Sequence, residues 1–469
     1  MRSNAVSSNG ALAVPLPGSS DTIVALGTTP GRAAIAIVRI SGDRAIEAAR
    51  RYIDPWPSRA REIRLCVVHN EAMTLDQALI TFYSAPESFT GEDMVEIFTH
   101  GGHAVPTSVI AALISSGVRE AFPGEFTRRA VLNGKIDIVQ AEAVGDLIDA
   151  RSSAMQQAAL YQLDGGLSSR IASVREIVLQ LESLIAYDVD FPEEDDGPVS
   201  EAQVLKATEA LLSSLDLLLA TIPIGQIVRE GAVVVIAGEP NVGKSSLFNA
   251  LLGEQRAIVT EISGTTRDAI EVLIDAGHWP VRLIDTAGLR HSTDVVEKLG
   301  IEASERHISH AHLIIACGDS EESLRKVVSI VSSLSPAPVV RVATKGDLWS
   351  PRMSDDLEFK SSMIDVTVSA QTGEGLGLLR EKLNEILDGK YGQITPETPI
   401  LIRSRHIQAI QSARDEILEF KYAWTASSLP ATVAAVHLRV AAVALEGLIG
   451  AVSTDDVLDR VFSSFCVGK

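Results

Sequence analysis

After residue 20 the chain opens on two β-like runs: apolar and β-branched residues crowd positions 22–26 and 33–40, with the turn Thr29-Pro30-Gly31 between them. That spacing predicts an α+β segment. From 137 to 188 glycine and proline thin out, and Ile171, Val174, Ile177, Val178 and Leu181 recur at helical spacing, predicting long helices. An acidic stretch at 187–197 (YDVDFPEEDDG) interrupts them before helical periodicity resumes over 201–219. At Gly231 the texture changes. Short β-rich runs at 233–237, 281–284, 312–316, 339–343 and 364–368 alternate with helical stretches, the pattern of a parallel sheet with crossover helices. Helical periodicity returns after Asn384. The longest apolar run, 431–450, carries His437, Arg439 and Glu446 and reads as a core helix rather than a membrane span. The expected fold class is multidomain α/β: a tail (1–20), an α+β domain (21–135), a helical domain in two halves (136–228 and 390–469), and an inserted domain with a mostly parallel sheet (229–389).

Composition narrows the classes. At about 150 residues per domain, 469 residues suggest about three domains. The apolar share of 46% and charged share of 22% are ordinary globular usage, which excludes disorder or a fibrous array for the whole. Net charge is -20, so any polyanion partner needs a local basic surface. Residues 1–135 carry 13 Lys plus Arg against 13 Asp plus Glu, and the acidic excess lies downstream. This balance predicts that any nucleic-acid binding by the chain alone is weak and steeply salt-dependent. Cys66, Cys317 and Cys466 are far apart, with neither a zinc spacing nor a disulfide framework, and the first 20 residues lack a secretory apolar core. The expectation is a cytoplasmic protein.

The chemistry begins at Gly238-Glu-Pro-Asn-Val-Gly243-Lys244-Ser245, a G-x-x-x-x-G-K-S loop that directly follows a β-like run. Its N–H groups can face phosphate oxygens, Lys244 can reach the β- and γ-phosphates, and the Ser245 hydroxyl can ligate magnesium. Asn241, Val242, Gly243 and Ser246 complete the phosphate loop. Downstream, Asp285-Thr286-Ala287-Gly288 ends an apolar run where a carboxylate can approach the metal and Gly288 can sense the γ-phosphate. Thr265 and Thr266 offer hydroxyls between the two motifs, Thr266 as a second magnesium ligand, and Thr260 precedes them. Thr344-Lys345-Gly346-Asp347 stands where GTPases read the base, and Asp347 can accept from guanine N1 and N2 protons. Ser369-Ala370-Gln371 suits the loop that backs the base.

These motifs resemble the Era-like GTPases. The flanks (DTIVALGTTPGRAAIAIVRISG at 21–42, SFTGEDMVEI at 88–97, PGEFTRRAVLNGKIDIVQAEAV at 123–144, DFPEED at 190–195 and the terminal FCVGK) closely resemble the MnmE (TrmE) family of tRNA uridine modification GTPases. The resemblance implies a homodimer with an N-terminal folate-binding and dimerisation domain, a helical domain and an inserted P-loop GTPase domain. It also implies a flavin-dependent partner, MnmG, in a heterotetramer or larger complex. The family's reaction adds an aminomethyl or carboxymethylaminomethyl group to C5 of the wobble uridine of certain tRNAs. 5,10-methylene-tetrahydrofolate is the donor, with 5-formyl-tetrahydrofolate as its analogue. By resemblance, Arg39, Glu96, Lys135 and Lys469 contact the folate, the cations suiting its glutamate tail and Glu96 a pterin N–H edge, and Cys466 is the family's near-terminal cysteine.

Leu289 stands where other GTPases carry a water-positioning Gln, and the resemblance assigns that work to Glu297. It likewise implies a potassium ion in place of an arginine finger, bound by Asn241, Thr260, Ile262 and Thr265. Three departures stand out. Thr344 replaces the usual Asn, which predicts loss of a tie to the phosphate loop and weaker guanine binding; His291 replaces a Glu; and TTPGRAA replaces TPPGRGG. The competing reading is an RNA-binding ribosome-assembly GTPase switch, but no basic tail appears. A scaffold with weakened GTPase activity rests on Thr344 alone.

Overall fold

The computed structural model describes residues 21–71, 73–190, 201–253, 270–285, 306–348, 363–392, 398–426, 430–450, 458, 461–462 and 465–468. The expected tail and most of the acidic stretch lie outside them. The chain forms two units, Met1–Ala141 with Val452–Lys469, and Glu142–Ala451. Residues 452–469, read from sequence as the end of the helical half, thus belong with the N-terminal unit.

In the first unit, strands β1 (Ile23–Leu26), β2 (Ile35–Ser41), β3 (Ile53–Asp54), β4 (Arg64–His69), β5 (Thr74–Tyr83), β6 (Met94–His100) and β7 (Arg119–Glu120) form one sheet. Its order is β3-β4-β5-β6-β2-β1-β7. Pairings are antiparallel except β1 with β7. Period-two alternation sends Val38, Ile40, Cys66, Val68, Ala78, Ile80, Val95 and Ile97 to one core, covered by α1 (Ala45–Arg50) and α2 (Ala104–Ser115). On the other face, helix α3 (Glu125–Leu132) brings Phe126 onto Ile23, Ala25 and Met94. Arg39 and Glu96, directly paired across β2 and β6, share that second face. A second row on it, Leu65, Leu79, Phe98 and Ile37, runs across four strands, with Leu65 61% and Leu79 41% exposed.

Helix α4 (Ile138–Asp149) carries the chain into the second unit. There α5 (Ser153–Leu163), α6 (Gly166–Asp190), α7 (Glu201–Leu219) and α8 (Ile222–Glu230) precede a six-stranded sheet. Its strands β8 (Ala232–Gly238), β9 (Ile270–Asp275), β10 (Pro280–Asp285), β11 (Leu313–Gly318), β12 (Val339–Ala343) and β13 (Val366–Thr367) take the order β13-β12-β11-β8-β10-β9. Only β9 is antiparallel. Near-continuous apolar runs such as AVVVIAG in β8 are what a sheet covered on both faces requires. Helices α9 (Lys244–Gly253), α10 (Glu321–Leu334) and α11 (Leu376–Tyr391) belong to this layer. Ser320 caps α10 by accepting from Ser323 N, with Glu321 and Glu322 in its first turn.

The chain then returns to helices α12 (Ser404–Thr425) and α13 (Ala431–Ile449). Helix α13 buries Ala434, Leu438, Ala441, Leu445 and Leu448, packing against α6 and α12 as expected of a core helix. By length and composition alone, it and the stretch Glu201–Glu230 are apolar enough to cross a membrane.

The two sequence-distant sets of helices are joined by a buried charge cluster. Glu142 Oε2 accepts from Arg405 Nη2 at 2.9 Å and lies 2.7 Å from His406 Nε2, while Arg403 Nη2 reaches Asp146 at 2.6 Å. Burial opposes ionisation of Glu142, but His406 and Arg405 outweigh it and hold its carboxyl down at about 2. The stabilisation from ionised Glu142 is present above its ordinary value of 4.5 and lost as pH falls toward 2. Melting curves from neutrality down to about pH 2 should show Glu142→Gln destabilised by about 2–3 kcal/mol near neutrality and the difference shrinking below about pH 4.5; a constant difference would remove Glu142 from the acid limb.

Candidate functional site

The turn after β8 delivers the phosphate-loop residues to the N-terminus of α9. Asn241 takes a left-handed backbone (φ 64°) and is exposed at the loop apex. Lys244 is buried, its Nζ donating to Gly238 O at 3.0 Å and Glu239 O at 2.8 Å, so the ammonium is fixed under the loop. Ser245 and Ser246 follow on the exposed first turn of α9.

Because β8 and β10 are parallel neighbours, with Ile236 opposite Asp285, the end of β10 meets the start of α9. Ser245 Oγ donates to Asp285 Oδ2 at 2.8 Å. A hydroxyl and a carboxylate so placed are the oxygen donors a hard divalent cation prefers. Thr260, Ile262, Thr265, Thr266, Thr286, Ala287, Gly288 and Glu297 lie outside the described residues, as does His291.

Two neighbouring strands supply the base end. After β12, Thr344 is buried, with its Oγ1 2.5 Å from Val242 O and 3.2 Å from Gly318 O. The Thr344 hydroxyl therefore ties this loop to the phosphate loop, correcting the expectation that an Asn-to-Thr change breaks that tie. Lys345 adopts φ 57°, with Nζ 3.2 Å from Asp319. The exposed Asp347 is aimed by Ser369, whose Oγ donates to Oδ1 at 2.7 Å. Ala370 and Gln371 continue the loop beyond Ser369. Beneath the loops, burial pushes the Cys317 thiol up to about 12, and burial raises Cys66 as well. Neither is a nucleophile at neutral pH.

A second site lies in the first unit. A cavity of about 600 Å³ is lined by Arg39, Glu96 and Lys135 together with Arg61, Tyr83, Phe89 and Met94. Arg39 Nε is 3.0 Å from Glu96 Oε1, and Tyr83 Oη donates to Glu96 Oε2 at 3.4 Å. Burial, then the Glu96 charge, raises the Tyr83 phenol and keeps it a donor. Lys135 Nζ donates to Pro86 O at 2.9 Å and Arg61 Nη2 to Glu87 O at 3.0 Å, so adjacent carbonyls hold two cations at one end.

The motifs FTGED and LNGK meet there. Asn133 Nδ2 donates to Thr90 O at 2.7 Å, and a Cβ on Gly91 (φ 78°) would stand 3.0 Å from Asn133 Cβ and 3.3 Å from Lys135 Cγ. Only glycine allows that approach. The chain's end also returns to this unit: Val467 bridges Pro123, Gly124 N donates to Cys466 O at 3.2 Å, and Gly468 rests on Leu26 and Gly27. Gly27 in turn abuts Arg39. Cys466 is exposed, and Lys469 lies outside the described residues. Arg61, Tyr83 and Phe89 escaped the sequence reading. An Arg beside a turn and aromatics at a strand end carry no periodic signal of a shared cavity.

Family models described as the MnmE helical domain and the GTP-binding protein TrmE N-terminus match residues 138–466 and 22–135. The chain is similar to the tRNA modification GTPase MnmE of Aquifex aeolicus (strain VF5), at 38% identity over 457 residues, covering 96% of this chain and 100% of that one. The MnmE of Azoarcus sp. (strain BH72) is 37% identical, covering 98% and 100%, and that of Moorella thermoacetica (strain ATCC 39073 / JCM 9320) 38%, covering 96% and 99%. A solved G domain, from the T. maritima FeoB iron transporter, is 30% identical with a TM-score of 0.26, covering 33% of this chain and 98% of its own.

Thr344→Val removes one buried hydroxyl tie while preserving shape. It should weaken GTP and GDP binding about three- to tenfold in fluorescent-nucleotide titrations; unchanged affinities would leave Thr344 without a role in the loop.

Proposed function

The chain belongs to the MnmE family of tRNA modification GTPases, and from that premise we propose the following cycle. It hydrolyses GTP in a potassium-dependent manner in the cytoplasm. With a flavin-dependent MnmG partner it adds an aminomethyl or carboxymethylaminomethyl group to C5 of the wobble uridine of certain tRNAs. The observation that carries this reading is the cavity holding Arg39, Glu96 and Lys135 together, for which a GTPase switch alone has no use.

The chemistry of the cavity fits a reduced folate, which supplies the one-carbon unit when bound. Glu96, steadied by Arg39 and Tyr83, can accept from pterin N–H groups, and Phe89 and Met94 offer apolar walls. Since Arg39 is engaged with Glu96, the carboxylate tail falls to Lys135 and Arg61, with Lys469 as a further cation. Cys466, the exposed cysteine, is the candidate thiol for the transfer chemistry.

In the nucleotide site, Lys244 holds the β- and γ-phosphates and Asp347 selects guanine. Ser245, Asp285 and Thr266 would hold magnesium, whose charge favours phosphoryl transfer. Glu297 orients the attacking water. Asn241, Thr260, Ile262 and Thr265 offer oxygens suited to a monovalent cation, which supplies positive charge where the transition state needs it.

The apolar row of exposed Leu65 and Leu79 with half-buried Phe98 and Ile37 supports a homodimer formed through the first unit. We assign the domains as 21–135 for folate and dimerisation, 229–389 for GTP, and helices between and after. The ribosome-assembly switch leaves the cavity unused.

Nucleosides of tRNA from cells lacking the protein should lose the modified wobble uridine and regain it with the wild type but not with Lys244→Ala; an unchanged profile in the deletion overturns the reading. Separately, GTP turnover in potassium should exceed that in sodium by about tenfold or more, and equal rates would remove the potassium site.

A further inference from the structure

We propose that an arginine surface on the first unit, beside Trp56 and helix α1, is where this chain docks RNA. The inference rests on the tRNA-modification reading and adds the place of contact. In a chain of net charge -20, residues 44–64 hold six arginines against three carboxylates. All six (Arg44, Arg50, Arg51, Arg59, Arg61 and Arg64) are exposed.

The local carboxylates do not neutralise the surface. Glu47 is shared by Arg51 at 2.5 Å and Arg44 at 3.8 Å, Glu62 is held by Ser58 Oγ and Arg59 N, and Glu87 pairs with Arg61 at 3.3 Å. Among the described residues, no ion pair engages Arg50, Arg59 or Arg64. All three residues are exposed.

Two of these cations, Arg50 and Arg64, flank the Trp56 ring. Arg50 Cζ lies 5.9 Å from the Trp56 ring centroid, and Arg64 Nη1 donates to Trp56 O at 3.4 Å. The half-buried Trp56 ring packs on Phe82 at 5.4 Å, and Arg61 N donates to Phe82 O at 2.8 Å. Charged groups for phosphates beside a ring for an unstacked base form the arrangement used for single-stranded nucleic acid and loops. That combination favours RNA over an acidic protein, which has no use for the ring. Trp56 and Phe82 pack on the face of the sheet opposite Arg39 and Glu96, and Arg61, which also lines the cavity, links the arginine surface to it.

The test uses the full-length protein and a fluorescent anticodon stem–loop RNA, titrated between about 50 and 200 mM salt. The triple variant Arg50→Gln/Arg59→Gln/Arg64→Gln should lower the slope of log affinity against log salt by about two to three and weaken low-salt binding about tenfold or more, with GTP hydrolysis unchanged. Trp56→Leu, checked by its melting curve, should weaken binding and leave the salt slope unchanged. Wild-type affinity and slope in the triple variant would overturn the proposal while leaving the tRNA reading intact. Loss of a protein partner with RNA binding unchanged would also overturn it. Absence of RNA binding by the wild type at low salt would overturn it too, and the nucleoside profile would then judge the tRNA reading by itself.

Discussion

The short antiparallel contact between Val467 and Pro123, continued by Gly468 on Leu26, governs how this polypeptide is organised. It returns the end of the chain to the unit in which the chain begins. Everything from Glu142 to Ala451 is thereby an excursion between two crossings of one boundary. The same contact sets Cys466 against Gly124 and Gly468 against Gly27, which abuts Arg39.

A similar closure operates within the second unit. Leu401 N donates to Thr221 Oγ1 at 3.1 Å and Gln162 Nε2 to Ile400 O at 3.1 Å, so the segments entering and leaving the nucleotide-binding sheet are fastened together. Glu142 with Arg405 and His406 repeats the theme at larger sequence separation. Burying these charges is costly unless each is partnered, and the partners come from opposite sides of the inserted domain. Correct docking of the helices and charge neutralisation are one event.

Much of this was legible in the sequence, for a physical reason. Strands buried on both faces must be apolar throughout, so β8 and β11 announced themselves, and β8 located the phosphate loop. Strand β9 went unread although IEVLID alternates well; as an antiparallel edge it breaks the regular strand–helix rhythm. Thr344 looked like a defect because a one-dimensional motif lists side chains, whereas the requirement is a donor for the Val242 carbonyl, and a hydroxyl meets it. Arg39 was legible as a cavity residue but not in its pairing with Glu96, which depends on strand register. The grouping of the last residues with the N-terminal unit had no periodic signal, since it rests on the Pro123–Val467 bridge and on Leu458, Val461 and Phe462 packing with Ile138 and Ala141.

That terminal contact also fixes a residue choice. Gly468 adopts a positive φ of 91°, and a Cβ there would stand 2.3 Å from Leu26 O, so the first strand, and not a neighbour in sequence, forbids a side chain at that position. Two segments far apart in the chain thus restrict each other's composition through one backbone carbonyl.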